Sequence, residues 1–170
     1  PATIERAFEI LCKRACEQLK QWSGQQNRDW ALQMSLSKHV LRLQSWPEKL
    51  THHLNANNIN PRQIWLSINE SDLITAGADI KDKLATLSAA GYVIVIDDYQ
   101  GLLPSQAEIS ANSVDMLIYD ARKLSENGRL QQTVADNARH FRLMIRNLQG
   151  KAERQEALEP GFRYGEGFVA

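Results

Sequence analysis

Two adjacent aspartates come directly after an apolar stretch, where they could bind a divalent cation or take part in catalysis. Asp97 and Asp98 follow residues 93–96, which are all Val or Ile. Four consecutive β-branched residues predict a strand covered on both faces, as in a parallel sheet. Such a strand ends at the carboxyl edge of the sheet, where α/β proteins collect ligands and catalytic groups. Because hard divalent cations bind oxygen atoms, the pair indicates a cation site. In the alternative interpretation, the two aspartates only cap a strand end and interact with a helix dipole.

The cysteine and histidine side chains do not extend this set of candidate ligands. Cys12 and Cys16 lie four residues apart in a helical stretch, so we expect both to be reduced and buried on one helix face. A zinc site would need two further ligands, and no Cys-rich segment or closely spaced His pair supplies them. His52 and His53 are adjacent in a predicted helix, where neighbours point to different sides, so we interpret them as a solvated pair near its end.

The charge and composition of the chain exclude several classes of protein. The 170 residues include 20 basic and 20 acidic ones, so no overall field favours nucleic acid or a membrane surface as a partner. No apolar run approaches the length of a membrane span, and no signal-peptide pattern is present. The length predicts one domain over residues 1–170, and reduced cysteines predict a cytoplasmic location. Since the sequence begins at Pro1 without an initiator Met, we expect it to be a piece of a longer protein.

Strand-like and helix-like segments alternate along the chain. Apolar patterns predict strands at residues 30–37, 63–69, 92–97, 114–119, 141–145 and 162–169. Helical periodicity predicts helices at residues 4–22, 46–54, 80–90, 121–139 and 151–158. This alternation is typical of right-handed βαβ units and predicts an α/β fold with a parallel sheet. Six strands are too few for a closed barrel of eight, so we expect one or two strands at the N-terminal side to lie outside this sequence. Otherwise two sheet edges would stay unpaired.

Five short segments match a known family in their order and spacing. They are residues 34–37, 66–71, 91–99, 114–120 and 165–168. They are similar to the motifs Val-Asn-Leu-Ser, Leu-Glu-Leu-Thr-Glu-Ser, Gly…Ala-Leu-Asp-Asp-Phe, Val-Asp-Tyr-Leu-Lys-Ile-Asp and Gln-Gly-Tyr. On this basis nearly the whole chain resembles the EAL domain, the cyclic di-GMP phosphodiesterase module of bacterial signalling. The resemblance implies a parallel (β/α) barrel of the EAL type, incomplete at the N-terminal side. In that family, two Mg²⁺ or Mn²⁺ ions activate water against a phosphodiester. Alternatively, the similarity reflects only a shared barrel architecture.

The resemblance also assigns the family's functional positions to this chain, and several of them are replaced. The metal-binding Asn, the metal-binding Glu and the catalytic Lys fall on Ser35, Ser67 and Ile118. The acidic residues that remain as a ligand- or metal-binding remnant are Asp97, Asp98, Glu70, Asp120 and Glu166. The resemblance implies that Glu70 braces the active-site loop, although it could simply start a helix. Glu166 stands where the family has Gln, and we favour Asp120 as the N-cap of a helix.

An apolar segment follows the aspartate pair. The family pairs through this region, and in this chain Tyr99, Leu102 and Leu103 would supply a dimer surface. Tyr99 could instead stack on a nucleotide base.

The chain keeps the order of the family's motifs but lacks several of the family's metal-binding and catalytic residues. We therefore expect a protein that is not an enzyme. We expect a degenerate phosphodiesterase without a cofactor, in which any residual Mg²⁺ or Mn²⁺ binding is weak. It would act in bacterial cyclic di-GMP-related regulation through a protein partner or as a homodimer. One alternative is a receptor that binds cyclic di-GMP without hydrolysing it. We expect no Arg or Lys near the barrel mouth, which argues against tight binding. Another is an active phosphodiesterase that a preceding segment completes.

Overall fold

The chain has an α/β fold with six parallel strands, β1 to β6, ordered in the sheet as they are in the sequence. The computed structural model describes residues 2–23, 30–77, 79–103, 105–110, 112–150 and 161–167. The fold class that the sequence predicts is confirmed. The residues form two compact units, which are Pro1–Ile68 with Asp72–Ile94, and Asn69–Ser71 with Val95–Ala170.

The first unit contains two paired strands and several helices. Its elements are α1 (Ala2–Ser23), β1 (Leu32–Leu36), α2 (Lys38–Leu41), α3 (Trp46–Ala56), a 3-10 turn (Pro61–Gln63), β2 (Ile64–Asn69), α4 (Glu70–Thr75) and α5 (Ile80–Ala89). β1 and β2 are parallel, with Leu32 opposite Ile64 and Leu36 opposite Ile68. The last residue of β2 and the first two of α4 belong to the second unit. α5 is followed by Gly91 at φ +98°, a left-handed conformation that glycine adopts without strain and that ends the helix.

A helix-to-helix contact forms much of the core of the first unit. α1 is buried along one stripe with helical spacing that includes Phe8, Cys12, Cys16 and Leu19. Phe8 packs edge to face against the fully buried Trp46 of α3, with ring centroids 6.3 Å apart. Both cysteines are free and buried, as predicted.

The strand predicted over residues 30–37 begins later than expected. Trp30 is 40% exposed and lies before β1 rather than in it. Its ring is 5.7 Å from that of Trp22.

The second unit carries the remaining strands and the helices between them. Its elements are β3 (Val93–Asp97, of which the first two residues belong to the first unit), α6 (Gln106–Ser110), β4 (Met116–Asp120), α7 (Ala121–Glu126), α8 (Gly128–Asn137), β5 (Arg142–Leu148) and β6 (Tyr164–Gly167). All five residues of β4 are buried, which explains why the four that precede Asp120 are apolar or aromatic. β4 pairs with β3 and β5, and β6 pairs with β5.

The single long helix predicted over residues 121–139 is wrong, because the structure breaks it at Asn127. There the backbone is extended (φ −124°, ψ 92°) and the side chain accepts a hydrogen bond from the Leu130 N–H at 3.1 Å. Asn is a strong N-cap residue, and the Gly128 that follows is a poor interior helix residue, so a new helix starts here.

The other predicted elements agree to within a few residues at each end. The short helices α2 and α6 were not predicted, since each has too few residues for a periodic pattern. α4 begins at Glu70, where the sequence allowed a helix to start. The helix expected at residues 151–158 lies outside the described residues. Among the described helices, none is both long and apolar enough to cross a membrane.

Candidate functional site

The guanidinium group of Arg146 lies among three carboxylates at the carboxyl ends of the strands in the second unit. Arg146 on β5 is in register with Asp120, the last residue of β4. Its Nη1 donates to Asp97 Oδ1 at 2.6 Å. Its Nη2 is 3.5 Å from Asp98 Oδ1, and its Nε is 3.7 Å from Asp120 Oδ2. One cation therefore contacts three acidic side chains that follow or end neighbouring strands.

A second cation neutralises the other oxygen of Asp98. Lys123, in the first turn of α7, donates from Nζ to Asp98 Oδ2 at 2.7 Å, and Gln100 Nε2 donates to the same oxygen at 3.1 Å. Asp98 is held at φ +54°, a left-handed conformation that Asp tolerates better than most residues. Its N–H donates to Asp97 Oδ1 at 2.8 Å. Three carboxylates and two cations leave this cluster with a formal charge of −3 + 2 = −1.

Asp120 is the N-cap of α7, as the sequence predicts. Its Oδ1 accepts from the N–H groups of Arg122 and Lys123 at 3.0 and 3.4 Å. Its Oδ2 accepts from Asn147 Nδ2 at 2.6 Å. Burial acts to raise the pKa of Asp120, but the hydrogen bonds from Asn147 and the two backbone N–H groups, with the charge of Arg146, lower it overall.

Glu70 fixes the loop that follows the aspartate pair. Its side chain is fully buried and accepts from the N–H groups of Gln100 at 2.7 Å and Leu103 at 2.9 Å. Burial raises the pKa of Glu70, against the opposing effect of these backbone hydrogen bonds. Glu70 is also the first residue of α4, so it both starts a helix and holds the loop.

The same loop corrects the dimer surface proposed from the sequence. Tyr99 is 3% exposed and packs edge to face on Tyr119, with ring centroids 5.2 Å apart. It is therefore part of the core and is unavailable both to a second copy and to a nucleotide base. Leu102 is 52% exposed, whereas Leu103 is only partly exposed. Of the three residues, Leu102 is the one that offers a large apolar surface.

The replaced positions lie on three strands. In the first unit, Ser35 is exposed and pairs in register with Ser67, which is buried and accepts a hydrogen bond from Gln33 Nε2 at 3.0 Å. In the second unit, Ile118 is buried in β4. Its side chain has no polar atom with which to hold a water or a phosphate.

Glu166 is exposed on β6 and borders a cavity of about 240 Å³. The cavity is lined by Arg122, Asn147, Leu148, Gln149, Glu166 and Gly167.

The donor set does not fit a divalent cation at this edge. Asp97 and Asp98 already contact Arg146, and Asp98 and Asp120 have further partners in Lys123 and Asn147. In the part of the chain that the structure describes, no three His, Cys, Asp or Glu side chains form a group that could hold a metal ion. A cation would have to displace protein groups that carry the same sign of charge.

Sequence reasoning missed Arg146 and Lys123, and the expectation that no Arg or Lys lies near the aspartates is wrong. Arg146 was detectable, because it follows the apolar residues 143–145 just as Asp97 follows residues 93–96. In a parallel sheet, both positions fall at the same edge. Lys123 becomes a neighbour of Asp98 only through the turn that α7 makes after Asp120.

The parallel strands with carboxylates at their ends define an α/β barrel-type domain. The chain belongs to the EAL domain family, whose model matches residues 2–150. No curated protein matches the chain.

Solved structures of EAL proteins have the same fold. The PaMucR phosphodiesterase in complex with c-di-GMP is 18% identical with a TM-score of 0.83, and the match covers 98% of this chain and 71% of that one. The Xanthomonas citri FimX EAL domain in complex with c-di-GMP is 14% identical with a TM-score of 0.81, covering 95% and 67%. The EAL domain of Mycobacterium smegmatis DcpA is 19% identical with a TM-score of 0.78, covering 96% and 77%. In the three structures of the EAL enzyme Bd1971, the chain spans less than half of the matched protein. The domain is thus related to proteins that bind or hydrolyse c-di-GMP.

Proposed function

We propose that this EAL domain does not hydrolyse cyclic di-GMP and instead acts as a non-catalytic module in cyclic di-GMP-related regulation. It would work through contact with a partner protein or with a second copy of itself, in the cytoplasm and without a metal cofactor. One observation carries the proposal: the carboxylates of Asp97, Asp98 and Asp120 are already paired with protein groups of this chain.

Hydrolysis of a phosphodiester needs positive charge where negative charge develops. Metal ions supply this charge in two-metal sites, together with a water made nucleophilic by the metal. Here the carboxylate cluster has a formal charge of −1 even after Arg146 and Lys123 are counted. Ile118, at the position that the resemblance assigns to the catalytic lysine, is buried and apolar. These features disfavour both the chemistry and the approach of a doubly anionic substrate.

Binding of cyclic di-GMP without hydrolysis is the second candidate function, and the cavity beside Arg122 favours it. Arg122 could pair with a phosphate, since a guanidinium is suited to bidentate contacts with phosphate oxygens. Two features weigh against this function. The cavity, at about 240 Å³, is smaller than the roughly 300–1,000 Å³ of ordinary small-molecule sites. Its border also includes the acidic Glu166, which would repel a phosphate.

Two assays on the purified chain test the proposal. In Mg²⁺ or Mn²⁺ we expect no conversion of cyclic di-GMP, under conditions in which an active EAL phosphodiesterase converts it fully; measurable turnover would refute the proposal. In Ca²⁺, which suppresses turnover, we expect isothermal titration with cyclic di-GMP to give a flat trace.

A saturable titration would instead establish the receptor function. In that case, Arg122→Ala should abolish the heat signal if the cavity is the binding site. The matched control is Arg139→Ala, which removes an exposed arginine whose ion-pair partner among the described residues is Asp136, at 3.6 Å. An equal loss in both variants would mean that the binding is non-specific attraction of a dianion.

A further inference from the structure

We propose that Arg146 is a built-in counter-cation that excludes divalent metal ions from the carboxylate edge of this domain. Its guanidinium supplies the positive charge that a bound metal would bring, and it holds Asp97, Asp98 and Asp120 together in the metal-free protein. The inference deepens the proposed non-catalytic function but is tested by metal binding alone, without cyclic di-GMP.

The geometry around the guanidinium supports this assignment. Each of its three nitrogen atoms has a different carboxylate within ion-pair distance. Nη1 donates a hydrogen bond to Asp97 at 2.6 Å, whereas Nη2 and Nε lie 3.5 Å from Asp98 and 3.7 Å from Asp120 without forming hydrogen bonds to them. Asp97 is the last residue of β3, Asp98 follows it directly, and Asp120 is the last residue of β4. A planar group with donors on several sides is suited to this arrangement, whereas an ammonium group is a point charge.

Arg146 and the three carboxylates around it are only partly exposed to solvent. The side chains of Arg146, Asp97, Asp98 and Asp120 are 28%, 20%, 14% and 12% exposed, so water screens their attraction only in part. A divalent cation that entered between the carboxylates would face the guanidinium charge at close range. To bind, it would have to break the short contact between Arg146 and Asp97 and then expel the arginine into solvent.

Lys123 provides an internal comparison, because it carries the same charge in the same cluster. Among the described residues its ammonium group pairs with Asp98 alone, and its side chain is 46% exposed, so it can move into solvent at little cost. If net charge alone decided metal binding, removal of Lys123 and removal of Arg146 would have equal effects. Arg146 lies within ion-pair distance of three carboxylates, so we assign the exclusion of metal ions to Arg146 rather than to Lys123.

The experiment compares Mn²⁺ binding by the wild-type chain, Arg146→Gln, Arg146→Lys and Lys123→Gln. Free Mn²⁺ is measured by electron paramagnetic resonance, and thermal melting is recorded with and without Mn²⁺. We expect no saturable binding by the wild type up to several millimolar. Arg146→Gln should bind one Mn²⁺ with a dissociation constant of about 0.1 to 1 mM, as for weak carboxylate sites. Its melting temperature should rise by about 5 to 10 °C at saturating Mn²⁺.

The control variants make the result specific. Arg146→Lys keeps the charge but loses the planar donors, so its Mn²⁺ binding should lie between that of the wild type and that of Arg146→Gln. Lys123→Gln should gain far less than Arg146→Gln. The double variant Arg146→Gln with Asp97→Asn should lose the gain, because it removes one of the freed ligands.

Three outcomes overturn the inference: the wild type binds Mn²⁺ as well as Arg146→Gln does, Arg146→Gln gains no binding, or Lys123→Gln gains as much. If Arg146→Gln is unfolded without metal, refolding on addition of Mn²⁺ supports the inference and failure to refold contradicts it. Turnover of cyclic di-GMP by the wild type would refute the proposed function, whereas these metal-binding results bear only on the role of Arg146.

Discussion

Replacement of Asp120 by Ala should destabilise the protein by an amount that can be worked out from its contacts. The substitution removes the N-cap of α7, which costs about 0.5 to 2 kcal/mol. It also removes the 2.6 Å hydrogen bond from Asn147 Nδ2, and hydrogen bonds to charged groups contribute about 1.5 to 3 kcal/mol. Since the two contributions share one side chain and do not add fully, we expect a loss of about 2 to 4 kcal/mol. At about 3 kcal/mol, the melting temperature of a chain of this size should fall by roughly 6 to 12 °C.

The loss should depend on pH in a defined direction. The pKa of Asp120 is lowered in the folded protein, whereas an unfolded Asp has a pKa of about 3.9. A lowered folded pKa means that the carboxylate stabilises the fold at pH values above the unfolded pKa. This stabilisation disappears as the pH falls through the folded pKa. The difference between the wild type and Asp120→Ala should therefore be full at pH 7 and shrink below about pH 4.

Urea denaturation followed by far-ultraviolet circular dichroism at several pH values measures this difference. Asp120→Asn keeps an effective N-cap but removes the charge, so it should recover about 1 kcal/mol of the loss and differ least from the wild type at low pH. The matched control is Asp136→Ala, whose carboxylate is 65% exposed, and surface changes of this kind fall within about 0.5 kcal/mol. An Asp120→Ala variant as stable as this control, or a loss that grows in acid, would refute the reasoning.

Three further predictions concern packing, thiol reactivity and association. Gly167→Ala should cost about 1 to 3 kcal/mol in urea denaturation, because the added methyl would overlap the carbonyl oxygen of Leu148 and lie 2.7 Å from its Cβ. Cys12 and Cys16 should not react with an aromatic disulfide reagent until the protein unfolds, because both are buried and burial raises the pKa of Cys12 to about 12. If the domain self-associates through its exposed loop, Leu102→Glu should lower its mass in sedimentation at equal concentration.

Matched controls accompany these three predictions. Gly128→Ala meets no atom within 4 Å and lies in α8, so it should be neutral or stabilise by up to about 1 kcal/mol; a similar loss in both glycine variants would contradict the packing argument. Rapid labelling of either cysteine in the native protein would show that the core of the first unit opens readily. Ile74→Glu changes another exposed apolar residue, 49% exposed and outside the loop. An unchanged mass for Leu102→Glu, or an equal change for Ile74→Glu, would reject the loop as the interface.

The strands were predictable because a strand that is buried on both faces has a continuous run of apolar residues in its sequence. Residues 93–96 and most of β4 are apolar without alternation, as expected for parallel strands with covered faces. The N-cap role of Asp120 was predictable for a similar reason, since a cap needs only a short polar side chain before a helix. These features are local, so no knowledge of distant contacts was needed.

Features that depend on competition between local and distant contacts were not predictable. The apolar spacing from residue 121 to residue 139 fits one helix as well as two, and the cap formed by Asn127 decides in favour of two. Tyr99 follows two aspartates in a loop, which suggests exposure. It is buried because Tyr119 and its neighbours offer an apolar site. The hydroxyl of Tyr119 in turn accepts a hydrogen bond from Asn137 at 2.9 Å.

The aspartate pair shows why residue types at a strand edge cannot decide a function by themselves. The sequence places Asp97 and Asp98 where a metal site would be, and the same rule places Arg146 at that edge. Whether carboxylates bind a metal ion or an arginine depends on which cation lies within contact distance, and the 2.6 Å pairing of Arg146 with Asp97 favours the arginine. Carboxylates at the ends of strands thus indicate that a cation lies beside them. The distances from their oxygen atoms to neighbouring basic groups show whether that cation is a side chain of the protein. A search for metal sites at strand ends should therefore include basic residues near the ends of neighbouring strands, because such a residue can neutralise the carboxylates in place of a metal ion.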